Sequence, residues 1–323
     1  MTDGIGAREI SEVARRVIAE VEKVIVGKRD VIERLTIAIL CEGHVLLEDV
    51  PGLGKTMLAR SLAGALGGEF SRVQFTPDLL PTDITGSLVF NPKTAEFSYR
   101  EGPIVTNVLL ADEINRAGPR TQSALLEAME ERQVSVERHI VTMPRPFFVI
   151  ATQNPVELEG TFPLPEAQLD RFLMRLSIGY PEIEDERAML RRFRENTPLE
   201  SIEVVTTTDE MNRLIRAVRR IHISDAVEDY LLQVIRATRE TDALEVGASP
   251  RAALALARAA QAYAAVQGRD FVKPDDVRLM TGSVLAHRVI PTAQADLLGQ
   301  SAGDLLAATV ADIPVPVESG NVV

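Results

Sequence analysis

Residues 49–56 read Asp49-Val50-Pro51-Gly52-Leu53-Gly54-Lys55-Thr56 and set two glycines, a lysine and a hydroxyl side by side. Glycines let a backbone curl until successive N–H groups face one point, and a helix starting at the lysine turns the positive end of its dipole to the same place. This chemistry suits a polyphosphate: the ammonium reaches the β and γ phosphates, and the threonine hydroxyl holds Mg²⁺. The spacing fits G-x-x-x-x-G-K-[ST] except at its first position, where Asp49 replaces glycine. Val50, Pro51, Gly52, Leu53, Gly54, Lys55, Thr56 and the following Met57 are therefore the expected nucleotide contacts. The bland alternative is a chance turn before a helix. An aliphatic run before the loop and an amphipathic helix after it are the context the motif demands, and both are present. Gly27-Lys28 is followed by Arg29, not Ser or Thr, and is not read as a second such loop.

Val108-Leu109-Leu110-Ala111-Asp112-Glu113 supplies the complementary signal. Two carboxylates at the end of a buried strand are costly unless they meet a cation. Asp112 suits the Mg²⁺ shell, and Glu113 suits polarisation of an attacking water, because phosphoryl transfer depends on positioning and charge stabilisation. Asn154, after Ala151-Thr152-Gln153, offers a neutral donor that orients the water against the γ-phosphate; a turn residue before Pro155 is the other reading. Two arginines stand out, Arg171 in Leu169-Asp170-Arg171-Phe172 and Arg251 in Ala248-Ser249-Pro250-Arg251. Out of context, either is a surface ion-pair former.

These residues need a scaffold. Residues 44–50, 70–75, 104–113 and 147–155 are aliphatic runs, and helical patterns at 55–66 and 121–131 alternate with them. Such alternation predicts a parallel sheet covered on both faces, with ligands beyond the carboxyl ends of the strands. The polar loops at 49–56, 112–113 and 153–155 all fall at that edge. Two further helices are expected at 8–24 and 28–42. Residues 87–104, with Asn91-Pro92 between short apolar pieces, read as a hairpin insert, and 133–146, alternating through Val134, Val136 and Ile140, as a second hairpin. After Pro181 the patterns turn almost wholly helical. The expected division is an α/β nucleotide domain over 1–183, a smaller all-helical domain over 184–310, and a flexible tail over 311–323.

At 323 residues and 46% hydrophobic content the chain is long enough for two domains with real cores. Trp is absent and aromatics are 4%, so aliphatic packing dominates and stacking platforms for single-stranded nucleic acid are disfavoured. The net charge of −12 argues against nucleic acid as a partner. Cys41 reads as a small buried hydrophobe. His44, His139, His222 and His287 lack ligand spacing and read as structural. No signal-peptide pattern opens the chain and no apolar run reaches a membrane span, so a cytoplasmic protein is expected.

The strings LLEDVPGLGKT (46–56), VQFTPDLLPTDITG (73–86), EGPIVTNVLLADEINRA (101–117), QSALLEAMEERQVSV (122–136), ATQNPVELEGTFPLPEAQLDRF (151–172) and SPRA (249–252) together resemble the MoxR family of the AAA+ superfamily, from about residue 20 to 310. Asp49 is itself similar to that family's pattern. The resemblance implies a P-loop α/β core followed by a helical lid, ATP and Mg²⁺ as cofactors, and rings, usually hexameric. It implies sensor 1 at Asn154, an arginine finger at Arg171 supplied to a neighbouring subunit, and sensor 2 at Arg251. Arg116, beside the acidic pair, is the second candidate finger. It also implies that 87–104 is the helix-2 insert, 133–146 the hairpin before sensor 1, and Val26-Gly27 the adenine-contacting element. The implied function is a chaperone-like ATPase acting on protein partners, commonly ones with von Willebrand factor A domains. A nucleic-acid motor and the motor subunit of a metal chelatase are the competing readings.

Overall fold

The computed structural model describes residues 4–93, 95–137, 139–155, 160–195 and 198–316. Residues 317–323 of the expected tail, and 156–159 of the loop between Asn154 and Arg171, lie outside the described residues.

Chain order begins with α1 (Ala7–Glu22) and α2 (Arg29–Leu40), then β1 (Val45–Glu48), α3 (Lys55–Ala65), β2 (Phe70–Gln74) and α4 (Pro81–Thr85). A hairpin follows, β3 (Gly86–Asn91) and β4 (Glu96–Glu101), then β5 (Val108–Asp112), α5 (Pro119–Glu131), a second hairpin of β6 (Gln133–Val136) and β7 (His139–Thr142), β8 (Phe148–Gln153), α6 (Glu166–Leu169), β9 (Met174–Leu176) and α7 (Ile183–Glu195). Strands β1, β2, β5, β8 and β9 form one sheet in the order β2-β5-β8-β1-β9. The β2–β5, β5–β8 and β8–β1 pairs are all parallel. Their residues explain the burial on both faces: Val45, Leu46, Leu47, Leu109, Leu110, Val149 and Ile150 are wholly buried. Each such side chain contributes about 1.5–3 kcal/mol relative to exposure. The strands end in register, with Glu48 opposite Gln153 and Gln74 opposite Asp112, so one sheet edge collects the polar residues.

Helix α3 buries Leu58, Ala59, Leu62 and Ala63, spaced to line one face. Helix α5 starts at Pro119, where a missing N–H is harmless, and buries Leu125, Leu126 and Met129. It stops at Arg132, whose φ is +53°. Both expected hairpins form, β3–β4 and β6–β7, each antiparallel. β9 was not expected, because three residues show no period. Cys41, expected to be buried, is half-buried at the end of α2, where helix termination leaves one side open.

Packing groups residues 13–172 and 176–212 into one unit, and 1–12, 173–175 and 213–323 into another. The expected division at 183 and 184 followed composition; packing instead keeps 184–212 with the α/β unit. Arg192 of α7 donates to the Glu22 carbonyl at 2.8 Å, and Val205 N–H to the Ala65 carbonyl at 2.9 Å. Helix α8 (Thr208–Val218) leads into the second unit, which contains α9 (Asp225–Glu240), α10 (Pro250–Val266), α11 (Pro274–Leu285), α12 (Ala293–Leu297) and α13 (Ala302–Ala311). It is not wholly helical. Leu244–Val246 pairs antiparallel with Ile290–Pro291, a short ribbon that helical periodicity conceals. Among the described residues, no helix is long and apolar enough to cross a membrane.

Candidate nucleotide site

The phosphate loop joins β1 to α3. Gly52 has φ +89° and Gly54 φ +80°, and a Cβ added at either would meet nothing within 4 Å. Backbone conformation, not crowding, demands glycine at both positions. Lys55 opens α3 and donates from Nζ to the Asp49 carbonyl at 2.7 Å. Burial lowers the Lys55 pKa, and Asp49, Asp112 and Glu113 each pull it back up. The lysine of the loop therefore lies within the field of both strand-end carboxylates.

Asp49 is buried and points away from the loop. Its Oδ1 accepts from Ser177 Oγ at 2.7 Å and Gly179 N–H at 3.1 Å, and its Oδ2 from Ile178 N–H at 2.6 Å.

The acidic pair ends β5. Asp112 Oδ2 pairs with Arg72 on β2 at 2.7 Å, and Oδ1 accepts from Thr152 Oγ1 at 2.6 Å. Glu113 takes the left-handed backbone conformation, φ +57° and ψ +50°, at a cost of about 1–3 kcal/mol. Its N–H donates to Thr152 Oγ1 at 2.8 Å. Its Oε2 accepts from Gln74 Nε2 at 2.7 Å and Arg116 Nη1 at 3.0 Å. Thr152, only 1% exposed, thus joins both carboxylate residues through one hydroxyl. Sequence reasoning passed over Thr152, Gln74 and Arg72. Their signal is sheet register: Thr152 lies one step past the paired Ala111 and Ala151, and Gln74 pairs with Asp112.

Asn154 is half-buried, directly beyond β8. Arg171 follows α6; its guanidinium donates to the Leu126 carbonyl at 2.7 Å and pairs with Glu130 at 3.1 Å, both on α5. Arg116 is engaged by Glu113 of its own chain. Arg251 is exposed in the first turn of α10, behind Ser249, whose side chain caps the helix by accepting from Ala252 N–H. It belongs to the second unit.

Beside the loop opens a cavity of about 440 Å³. Val24, Ile25, Val26, Leu53, Met57 and Ile178 are among the residues that line it. It is apolar and adjoins Pro51–Gly54, so it suits a planar heteroaromatic base attached to a phosphate chain. Gly27, φ +72°, abuts the Asp185 carboxylate, which occupies the space a Cβ would need.

The parallel sheet, the glycine-lysine loop after β1 and the acidic pair at the end of β5, two strands away, define a P-loop ATPase domain of the AAA+ class with a helical lid. The model of the ATPase family associated with various cellular activities (AAA) matches residues 44–174, and that of the AAA lid domain residues 236–308. The chain is 46% identical to the uncharacterized protein YeaC of Bacillus subtilis, over 95% of this chain and 96% of the relative. It is 46% identical to Chaperone MoxR1 of Mycobacterium tuberculosis, over 87% of this chain and 76% of the relative. A solved structure of an ATPase candidate from Cytophaga hutchinsonii superposes with a TM-score of 0.90 at 36% identity, covering 96% of this chain and 97% of that one. The chain belongs to the MoxR family of AAA+ ATPases.

Proposed function

We propose that the chain hydrolyses ATP with Mg²⁺, in sites shared between neighbouring subunits of a ring, and couples the cycle to remodelling of protein partners. The carrying observation is that parallel strands β1 and β5 end at one sheet edge, where the loop opening on Lys55 follows β1 and Asp112-Glu113 closes β5. The residues fit the nucleotide: the loop glycines hold positive φ, Lys55 is half-withdrawn from water, and the apolar cavity adjoins both. They also fit Mg²⁺. Among the described residues no cluster of three or more His, Cys, Asp or Glu side chains is arranged to hold a metal. Mg²⁺ needs none, since it takes one or two protein ligands and completes its shell with phosphate and water. Thr56 and Asp112 would hold it. When bound, the ion neutralises charge on the β and γ phosphates.

In this reading Val50 to Met57 bind the phosphates and Val26-Gly27 borders the base. Glu113 accepts a proton from the attacking water and Asn154 orients that water. Arg171 of a neighbour, and Arg251 of the lid, stabilise the charge that develops on the γ-phosphate. A protein client is supported by the net charge of −12 and by the name chaperone carried by the M. tuberculosis relative. A partner with a von Willebrand factor A domain and a six-membered ring are the specific forms of this proposal.

Glu113→Gln tests the chemistry. The amide keeps the shape and the hydrogen bond from Gln74 but loses basicity. ATP affinity should stay within about threefold, while turnover should fall about a hundredfold or more, the usual worth of a general base. Turnover near that of the unaltered protein would remove Glu113 from the reaction. The same variant, loaded with ATP, should retain client proteins during purification, and their identities test the partner.

A further inference from the structure

Asp49 stands where a phosphate loop ordinarily carries glycine, and a carboxylate beside polyphosphate is unfavourable unless its charge is engaged elsewhere. Here it is. The side chain is turned out of the loop and accepts three hydrogen bonds from consecutive residues, Ser177 Oγ at 2.7 Å, Ile178 N–H at 2.6 Å and Gly179 N–H at 3.1 Å. The backbone of the same residue is held twice more, with its N–H donating to the Gln153 carbonyl at 3.3 Å and its carbonyl accepting from Lys55 Nζ at 2.7 Å.

The segment held by Asp49 is a wall of the apolar cavity. Ile178, Gly179, Tyr180 and Pro181 line it together with Val24–Val26. Gly179 turns at φ +64°, and the Tyr180 carbonyl accepts from Lys28 Nζ at 2.8 Å. Lys28 follows directly on Val26-Gly27. The segment is thus tied to the phosphate loop through Asp49 and to Lys28 through the Tyr180 carbonyl. Ionised hydrogen bonds are the strong ones, and three on one buried carboxylate make a stiff joint.

We propose that Asp49 is a positioning residue that latches the base-pocket wall to the phosphate loop, so that the base and the phosphates of one nucleotide are recognised as a unit. It touches neither; it acts through Ile178 and Gly179. The proposal rests on the nucleotide reading of the site. It yields a specific expectation, because phosphate binding needs only the loop, while base binding needs loop and wall in register.

Asp49→Gly restores the ordinary glycine and cuts the latch. ATP affinity should fall about tenfold or more, while affinity for inorganic tripolyphosphate, which has no base, should stay within about twofold. Preference for ATP over GTP should narrow with it. Asp49→Asn presents an amide N–H₂ to donors and should shift the ATP-to-tripolyphosphate ratio in the same direction. Ser177→Ala removes one bond of three from the far side and should shift the ratio about threefold, which keeps the test open if the Asp49 variants do not fold. Amide exchange of Ile178 and Gly179, measured without nucleotide, should quicken about tenfold or more in Asp49→Gly. An unchanged ratio in folded variants, or equal loss of ATP and tripolyphosphate, overturns the latch, since equal loss places Asp49 in the phosphate cradle itself. Unchanged exchange overturns it independently. If the unaltered protein binds no ATP, the nucleotide reading and the coupling fail together, and the exchange result shows whether the joint exists without them.

Discussion

Thr152 contributes one hydroxyl to two catalytic candidates, and its removal separates positioning from packing. The hydroxyl donates to Asp112 Oδ1 and accepts from the N–H of Glu113, whose left-handed backbone needs an anchor. Thr152→Val keeps the shape and leaves both groups short of a partner, a loss of about 1–3 kcal/mol for each buried group. Turnover should fall about tenfold to a hundredfold, ATP affinity in the absence of Mg²⁺ should stay within about twofold, and Thr152→Ser should restore most of the activity. A serine variant as slow as the valine would mean that the methyl packing, not the hydroxyl, is what matters. At this scale the sequence shows side chains whose motif is local. Gly52, Gly54 and Lys55 are neighbours in the chain, and Asp112-Glu113 closes an aliphatic run. Thr152, Gln74 and Arg72 stayed hidden because their roles exist only after three strands align. Asp49 was visible as a departure, but the direction of its side chain was not.

Among the elements, α5 and β8 are clasped by one buried histidine at the head of β1. His44 Nδ1 accepts from Val149 N–H at 3.0 Å, which leaves Nε2 to carry the proton toward the Met129 carbonyl at 3.1 Å. Burial, with a smaller contribution from the Arg132 charge, lowers its pKa from 6.5 to about 4. Protonation would set a second N–H against that of Val149. The unfolded chain takes up this proton below about pH 6.5, whereas the folded chain resists until about pH 4, so stability falls as pH drops through that window. The shift corresponds to on the order of 3 kcal/mol. Urea unfolding at pH 7 and pH 5 should show a smaller acid loss in His44→Asn, which does not titrate, than in the unaltered protein; an equal loss would assign the acid sensitivity to other groups. Element reading from sequence worked where patterns were long or punctuated. The hairpins declared themselves through strict alternation and Asn91-Pro92, and α5 through its apolar face and Pro119. It failed for Met174–Leu176 and for the ribbon of Leu244–Val246 with Ile290–Pro291, which are too short to show a period. The composition change at Pro181 tracked the onset of helices, and it could not show that α7 packs with the α/β unit.

For the whole molecule, the first question is what it engages. With a net charge of −12, little counterion release is available for binding a phosphate backbone. Neither single- nor double-stranded DNA should stimulate the ATPase; an affinity tighter than micromolar at physiological salt, with a steep salt slope, would favour the nucleic-acid motor instead. The second question is whether one chain completes a site. Arg171 is held by the Leu126 carbonyl and Glu130 on α5, groups that belong neither to the phosphate loop nor to the acidic pair. Arg116, the other candidate finger, is already paired with Glu113 in its own chain. We therefore expect Arg171 to serve a neighbour. Arg171→Ala alone should keep ATP binding and lose most hydrolysis, an outcome that does not separate the two geometries. Mixing does. Lys55→Ala subunits carry a good finger and a dead pocket, and Arg171→Ala subunits carry a good pocket and no finger. If the finger acts between subunits, a mixed ring contains some interfaces with both groups intact, and part of the activity should return. If it acts within one subunit, no site in any mixture has both, and activity should stay at the level of the separate variants. Co-purification of two tags must first establish that subunits mix, because rings that do not exchange would imitate the second outcome. The ratio series then matters: recovery should rise and fall with composition, vanishing at either pure extreme. With mixing established, absence of recovery at every ratio would return the role to Arg116, whose ion pair with Glu113 would then have to open before catalysis.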